Sequence, residues 1–108
     1  MESCIVIGGG NEIGSSLSLL LLNKGWTVYY LDEFKEVEIG DFLDCFKSRE
    51  FIFIDFSMLE KEINFRQYAD VMVNLGPVTY DNAKDYAKRE VFAKPGELAD
   101  DIYKRLME

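Results

Sequence analysis

Four apolar residues, Cys4-Ile5-Val6-Ile7, run into three consecutive glycines, Gly8-Gly9-Gly10, and an amphipathic run of leucines follows. β-Branched side chains favour extended backbone, glycines permit a tight bend, and leucines at helical spacing ask for a helix, so the stretch reads strand, turn, helix. Residues 26–31 read as a second strand. A strand, helix and strand in that order commit the chain to a parallel sheet covered by helices.

The remaining chain repeats the alternation. Over 14–24, Leu17, Leu20 and Leu21 share a stripe with Ile13, Leu19 and Leu22 broaden it, and Gly25 supplies the left-handed residue that ends a helix. Residues 33–38 are charged and aperiodic and read as a surface loop. Phe42, Leu43 and Phe46 predict a short helix over 41–47. Phe51-Ile52-Phe53-Ile54 has no polar alternation, as expected for a strand covered on both faces. A short or irregular helix is predicted over 58–68, a fourth strand over 70–73, and a breaker cluster at Asn74-Leu75-Gly76-Pro77. A helix over 79–88 with Thr79 as N-cap, a brief fifth strand over 91–93, and a last helix opened by Pro95 complete the pattern; Leu98, Ile102, Tyr103 and Leu106 are its apolar stripe.

Five strands alternating with five helices predict an α/β fold: a three-layer α/β/α sandwich on a five-stranded parallel sheet, joined by right-handed crossovers. With 108 residues the chain is expected to be one domain, 1–108, too small for a cofactor domain plus a separate substrate domain. The linear pattern suits two strand orders equally, 3-2-1-4-5 and 2-1-3-4-5.

A net charge of -8 argues against nucleic acid and anionic membrane surfaces as partners, and the lack of histidine removes the commonest general base and metal ligand. The longest apolar run, Leu19-Leu20-Leu21-Leu22, is too short to cross a bilayer, and a cytoplasmic location is expected. Cys4 and Cys45 show no pairing or metal spacing and read as packing residues.

The chemistry concentrates at the glycine turn. Without side chains there, a ligand reaches the unpaired N–H groups that open the helix, where the helix dipole favours phosphate. Gly8 and Gly10 fit the first two places of a Gly-x-Gly-x-x-Gly fingerprint, and the third glycine comes one residue late, at Gly14. Asp32 follows the second strand, 24 residues after Gly8, near where an acid accepts hydrogen bonds from an adenosine ribose.

In these residues the chain resembles the nucleotide-binding half of Rossmann-fold, NAD(P)-binding dehydrogenases, above all the short-chain dehydrogenase/reductase family in truncated form. That family's turn is Gly-x-x-x-Gly-Ile-Gly; here Gly8 is followed by Glu12-Ile13-Gly14, so a carboxylate replaces the middle glycine, a departure that would repel a pyrophosphate unless the side chain turns outward. The resemblance implies a Rossmann-like domain binding an adenine dinucleotide through Gly8, Gly10, Asn11, Ile13, Gly14 and Asp32. It implies NAD rather than NADP, because a 2'-phosphate would meet the like charge of Asp32. It further implies that Asp55, after the third strand, helps hold the adenine, and that Asn74 and Gly76 stand for a shortened Asn-Asn-Ala-Gly turn. Tyr80 and Lys84 have the family's Tyr-x-x-x-Lys spacing, yet they follow the asparagine turn too closely, with no serine between, so chance spacing is the expectation. The catalytic residues are unknown, no metal is expected, and an oxidoreductase-like or redox-sensing role follows. A homodimer mate or protein partner is expected to complete any catalytic site.

A second resemblance is to phospho-acceptor receiver domains, through Phe53-Ile54-Asp55-Phe56-Ser57-Met58 and Ala93-Lys94-Pro95. Gly8 and Gly9 occupy the places of that family's magnesium-binding acids. This resemblance therefore implies a degenerate interaction module without phosphotransfer.

Overall fold

A computed structural model of the chain describes residues 2–8, 11–57, 62–76 and 79–108, without the side chains of Asn11 and Glu36. In chain order the elements are β1 (Ser3–Ile7), α1 (Asn11–Asn23), β2 (Thr27–Asp32), α2 (Leu43–Phe46), β3 (Phe51–Asp55), β4 (Ala69–Asn74), β5 (Ala87–Phe92) and α3 (Ala99–Leu106). Single 3-10 turns lie at Phe34–Glu36, Ile39–Phe42 and Ala83–Asp85.

All five strands are parallel, in the order β3-β2-β1-β4-β5. This is the Rossmann-like order. Receivers use 2-1-3-4-5, so the receiver-like reading loses its topology.

The order dictates which connection covers which face. Steps from β1 to β2 to β3 run one way across the sheet and the step from β4 to β5 runs the other, so right-handed crossovers must lie on opposite faces. The core obeys this. On the first face, Cys4, Val6, Val28, Tyr30, Val71 and Val73 of the sheet pack against Leu17 and Leu21 of α1, Cys45 of α2, and Ile102 and Leu106 of α3. On the second, Ile5, Ile7, Leu31 and Met72 meet Phe56, Ile63, Tyr80 and Ala83. Residues 4 to 7 thus alternate between two apolar layers, which is why no polar residue interrupts them.

α1 is the central packing helix, touching β2, α2 and α3, and Gly25 closes it with φ +85°. Both cysteines are free and buried. Burial pushes the Cys45 thiol up to about 11 and Cys4 further still, so neither forms a reactive thiolate at neutral pH.

The second face departs from expectation. Among the described residues its cover is extended chain and one 3-10 turn, with all three α-helices on the first face. Of the helix expected over 58–68, residues 58–61 lie outside the described residues, and 62–68 are not helical. The reason is a side chain standing in for a backbone ladder: Asn82 Oδ1 accepts from Ile63 N–H at 2.9 Å and Asn82 Nδ2 donates to Ile63 O at 2.8 Å. Tyr86 Oη donates to the same carbonyl at 2.9 Å. Satisfied this way, Ile63 reaches the core without a helix.

The helix expected over 79–88 is likewise replaced. Only Ala83–Asp85 turns, and β5 begins at Ala87, whose pairing with Ala69 takes the chain into the sheet earlier than the predicted 91–93. Tyr80 and Lys84 therefore do not share a helix face. Tyr80 is buried edge-on to Phe56 with ring centroids 5.7 Å apart, and Lys84 is exposed.

Two smaller corrections concern the sheet edge and the last helix. β3 is the outer strand and is only partly buried, rather than covered on both faces. α3 starts four residues beyond Pro95, after a turn in which Glu97 Oε1 accepts from Lys94 N–H at 3.0 Å and Asp101 Oδ2 from Leu98 N–H at 3.2 Å. Leu98 is exposed, so the apolar stripe begins at Ile102. No helix among the described residues is long and apolar enough to cross a membrane.

Candidate functional site

Because β1 sends the chain one way and β4 the other, their carboxyl ends border a crevice, the usual ligand position in an open parallel sheet. Gly8 stands on one side and Asn74 to Gly76 on the other. Leu75 N–H donates to Ile7 O at 3.0 Å, holding the two ends together. Asn74 is buried, and its Oδ1 accepts from Gly76 N–H at 3.0 Å, so this side chain shapes its own turn.

Gly8 N–H donates to Leu31 O at 2.7 Å and prolongs the ladder to β2. Its amide is thus spent inside the sheet. A Cβ on Gly8 would lie 2.1 Å from Asp32 Oδ2 and 2.7 Å from Tyr30 Oη, and one on Gly14 would lie 2.4 Å from the same hydroxyl. Gly8, Gly14, Tyr30 and Asp32 therefore form one knot beneath the turn. Bare backbone lets the end of β1 lie against the Asp32 carboxylate at Gly8 and lets α1 approach β2 at Gly14, close approaches of the kind glycines serve in a dinucleotide fingerprint. The second duty would fall to Gly10, which lies outside the described residues; α1 begins at Asn11, whose side chain is also outside them.

Asp32 is 7% exposed and turned inward. Its Oδ2 accepts from Tyr30 Oη at 3.0 Å and its Oδ1 from Glu33 N–H at 2.8 Å. Desolvation, then the Asp32 charge, hold the Tyr30 phenol far above its ordinary range, so it stays a neutral donor. These two bonds fix the orientation of the carboxylate.

Two clefts flank the crevice. One, of about 410 Å³, opens beyond β2 and β3 and is lined by Glu33, Phe34, Lys35, Asp55 and Ser57. There Asp55 Oδ1 accepts from Phe34 N–H at 3.0 Å, fixing a half-exposed ring at the rim. The larger, about 620 Å³, lies between α1 and the turn before α3, with Glu12, Ile13 and Ser16 facing Glu97, Leu98 and Asp100. Glu12 is exposed and lines this cleft. Three carboxylates line this larger cleft, which suits an anion poorly.

Of the expected site residues, Gly8, Gly14 and Asp32 come together around Tyr30, and Asn74 and Gly76 face them across the crevice. Asp55 sits in the adjoining cleft, and Ile13 lines the opposite one.

Two residues that sequence reasoning passed over belong to this region. Tyr30 was legible in principle: two residues before Asp32 in a strand, it must share that residue's face. Glu90 had no such signal. Its carboxylate is hydrogen-bonded by the Asn74 side chain, its Oε2 is buried with no hydrogen-bond partner among the described residues, and desolvation raises its pKa above the ordinary carboxylate value despite the Asn74 bond. A raised folded value means that the folded state holds this proton to higher pH than the unfolded chain does. The associated stability is complete at low pH and is lost as pH rises through the raised value. Glu90→Gln is thus expected to raise the melting temperature at neutral pH and to leave it unchanged at pH 3. Equal shifts at both would show that the charge is not the cause.

No protein-family model matches the chain, and no curated protein matches it.

Proposed function

We propose that the chain is a minimal nucleotide-binding domain that takes an adenine dinucleotide, NAD(H), at the crevice between β1 and β4, in an oxidoreductase-like or redox-sensing role. The observation that carries this reading is the knot beneath the glycine turn. Bare backbone at Gly8 and Gly14 closes on a carboxylate at the end of β2, in a sheet whose strand order puts its switch point there.

The residues would divide the ligand between them. The glycine turn and the first turn of α1 would take the pyrophosphate, Asp32 the adenosine ribose, and the cleft with Phe34 and Asp55 the adenine. Among the described residues lining that cleft Lys35 is the one cation, against Glu33 and Asp55, a balance that disfavours a 2'-phosphate and favours NAD(H) over NADP(H). When bound, the nicotinamide supplies hydride transfer. The proton-transfer group would come from a partner or a second copy, since Tyr80 is given over to packing.

Differential scanning fluorimetry with NAD+, NADH, NADP+ and NADPH tests this. Ligand at 100 times its dissociation constant adds about 2.7 kcal/mol to the folded state. Stabilisation by NAD(H), weaker or absent with NADP(H), and its loss in Gly10→Asp are expected. No response to any of the four would sink the proposal.

A further inference from the structure

Among the described residues, Glu90 is the carboxylate that buries an oxygen with no hydrogen-bond partner. Its pairing with Met72 across the β4–β5 ladder puts its side chain on the second face, where Asn74 comes two positions further along β4. The Asn74 amide links Glu90 to the crevice: Oδ1 accepts from Gly76 N–H at 3.0 Å, and the same side chain is hydrogen-bonded to the Glu90 carboxylate. With Oδ1 turned to Gly76, and an ionised carboxylate offering acceptors only, the amide nitrogen serves Glu90. The main chain meets at the same point, since Asn74 O accepts from Ala93 N–H and Leu75 N–H donates to Ile7 O, both at 3.0 Å. Glu90 therefore stands one side-chain amide behind the crevice wall that Gly8 faces.

Holding Asn74 does not require an acid. A glutamine would offer the same acceptor without a buried charge, so what Glu90 adds is a proton that can come and go. Burial outweighs the Asn74 bond in setting its hold on that proton, and no charged side chain among the described residues contributes. On the same face, Lys88 and Asp70 pair with each other at 3.2 Å, and Ser3 N–H and Lys88 keep Asp70 below the ordinary carboxylate value. The straps bring Tyr80 and Tyr86 to this face, while their charged residues Glu62, Arg66, Asp81, Lys84 and Asp85 are exposed.

We propose that Glu90 takes up a proton when the crevice fills with the pyrophosphate of NAD(H), a coupling that rests on the nucleotide-binding reading. A doubly charged pyrophosphate repels an ionised Glu90 through a wall that screens poorly, and neutralising the acid removes the repulsion. Linkage makes the effect reciprocal: the factor by which the ligand tightens the proton is the factor by which the proton tightens the ligand. The sign follows from a value that is raised in the free protein and raised further in the complex. The gain in affinity is complete below the free-protein value and is lost as pH rises through the value in the complex; one pKa unit corresponds to about tenfold.

Calorimetric titration of NAD+ into the chain, in pairs of buffers of different ionisation enthalpy from about pH 5 to about pH 8, counts the protons taken up. The wild type should take up protons on binding and should bind about tenfold more weakly at the top of this range than at the bottom. Glu90→Gln keeps an acceptor for Asn74 and should bind with nearly constant affinity and less uptake. As a check that needs no variant, the 13C signal of the Glu90 carboxyl should titrate at higher pH with NAD+ than without. Binding without proton uptake, uptake that Glu90→Gln leaves intact, or a carboxyl midpoint that NAD+ does not move would overturn the coupling and leave the nucleotide reading standing. No binding of NAD+ at any pH would overturn both.

Discussion

Gly8→Ala is expected to lower the stability of this domain by about 2–3 kcal/mol, at the upper end for overpacking a tight site. For a domain of this size that is a fall of about 10–20 °C in melting temperature. The added methyl would lie 2.1 Å from Asp32 Oδ2 and 2.6 Å from its Cγ. That carboxylate cannot step aside cheaply, because it is buried and held by Tyr30 Oη at 3.0 Å and Glu33 N–H at 2.8 Å. Removing the obstruction tests the cause. Gly8→Ala made on an Asp32→Ala background should cost much less than on the wild type, a non-additivity proper to groups in contact. A melting temperature of Gly8→Ala equal to that of the wild type would refute the packing account.

The second large effect belongs to Tyr30. It is fully buried and lies 4.8 Å from Phe42 and 5.6 Å from Phe53, ring centre to ring centre. Tyr30→Ala empties the middle of the first-face core and should cost about 3–5 kcal/mol. Total stabilities run about 5–15 kcal/mol, so this one change removes a large share of the whole. Tyr30→Phe keeps the ring and removes only the bond to Asp32, at about 1–2 kcal/mol. It also clears the hydroxyl that a Gly14→Ala methyl would meet at 2.4 Å, so that pair should be milder together than the sum of its parts. Urea denaturation separates these cases. Equal losses for the alanine and phenylalanine variants would show that the ring is not what fills the core.

The opening βαβ unit was legible because its signals are local: glycines where the backbone must bend, leucines at helical spacing, and an acid where the strand stops. Strand order was not, because it is decided by which edges meet, and the same linear pattern serves two arrangements. The second face was misread for a related reason. Ala83, Tyr86 and Ala87 have helical spacing, but Ala83 and Ala87 are buried, and Tyr86 partly so, against a sheet that the chain rejoins at Ala87, and pairing with Ala69 outweighs the local preference. Nor could spacing reveal that Asn82 would serve Ile63, nineteen positions away. Gly8, Gly14 and Asp32 were singled out by their spacing and lie together, whereas their common neighbour Tyr30 looked like one more strand aromatic.

The grip of Asn82 on Ile63 has a further consequence. The strap leading into β4 and the one leading into β5 are joined through the Asn82 amide and the Tyr86 hydroxyl on Ile63, so lifting either strips hydrogen bonds from both. Amides on the two straps should therefore exchange with solvent at matched rates, as one cooperative patch that opens while the helical side stays shut. Breathing is thus expected on one side of the sheet, where Asn82 and Tyr86 hold the two straps at Ile63.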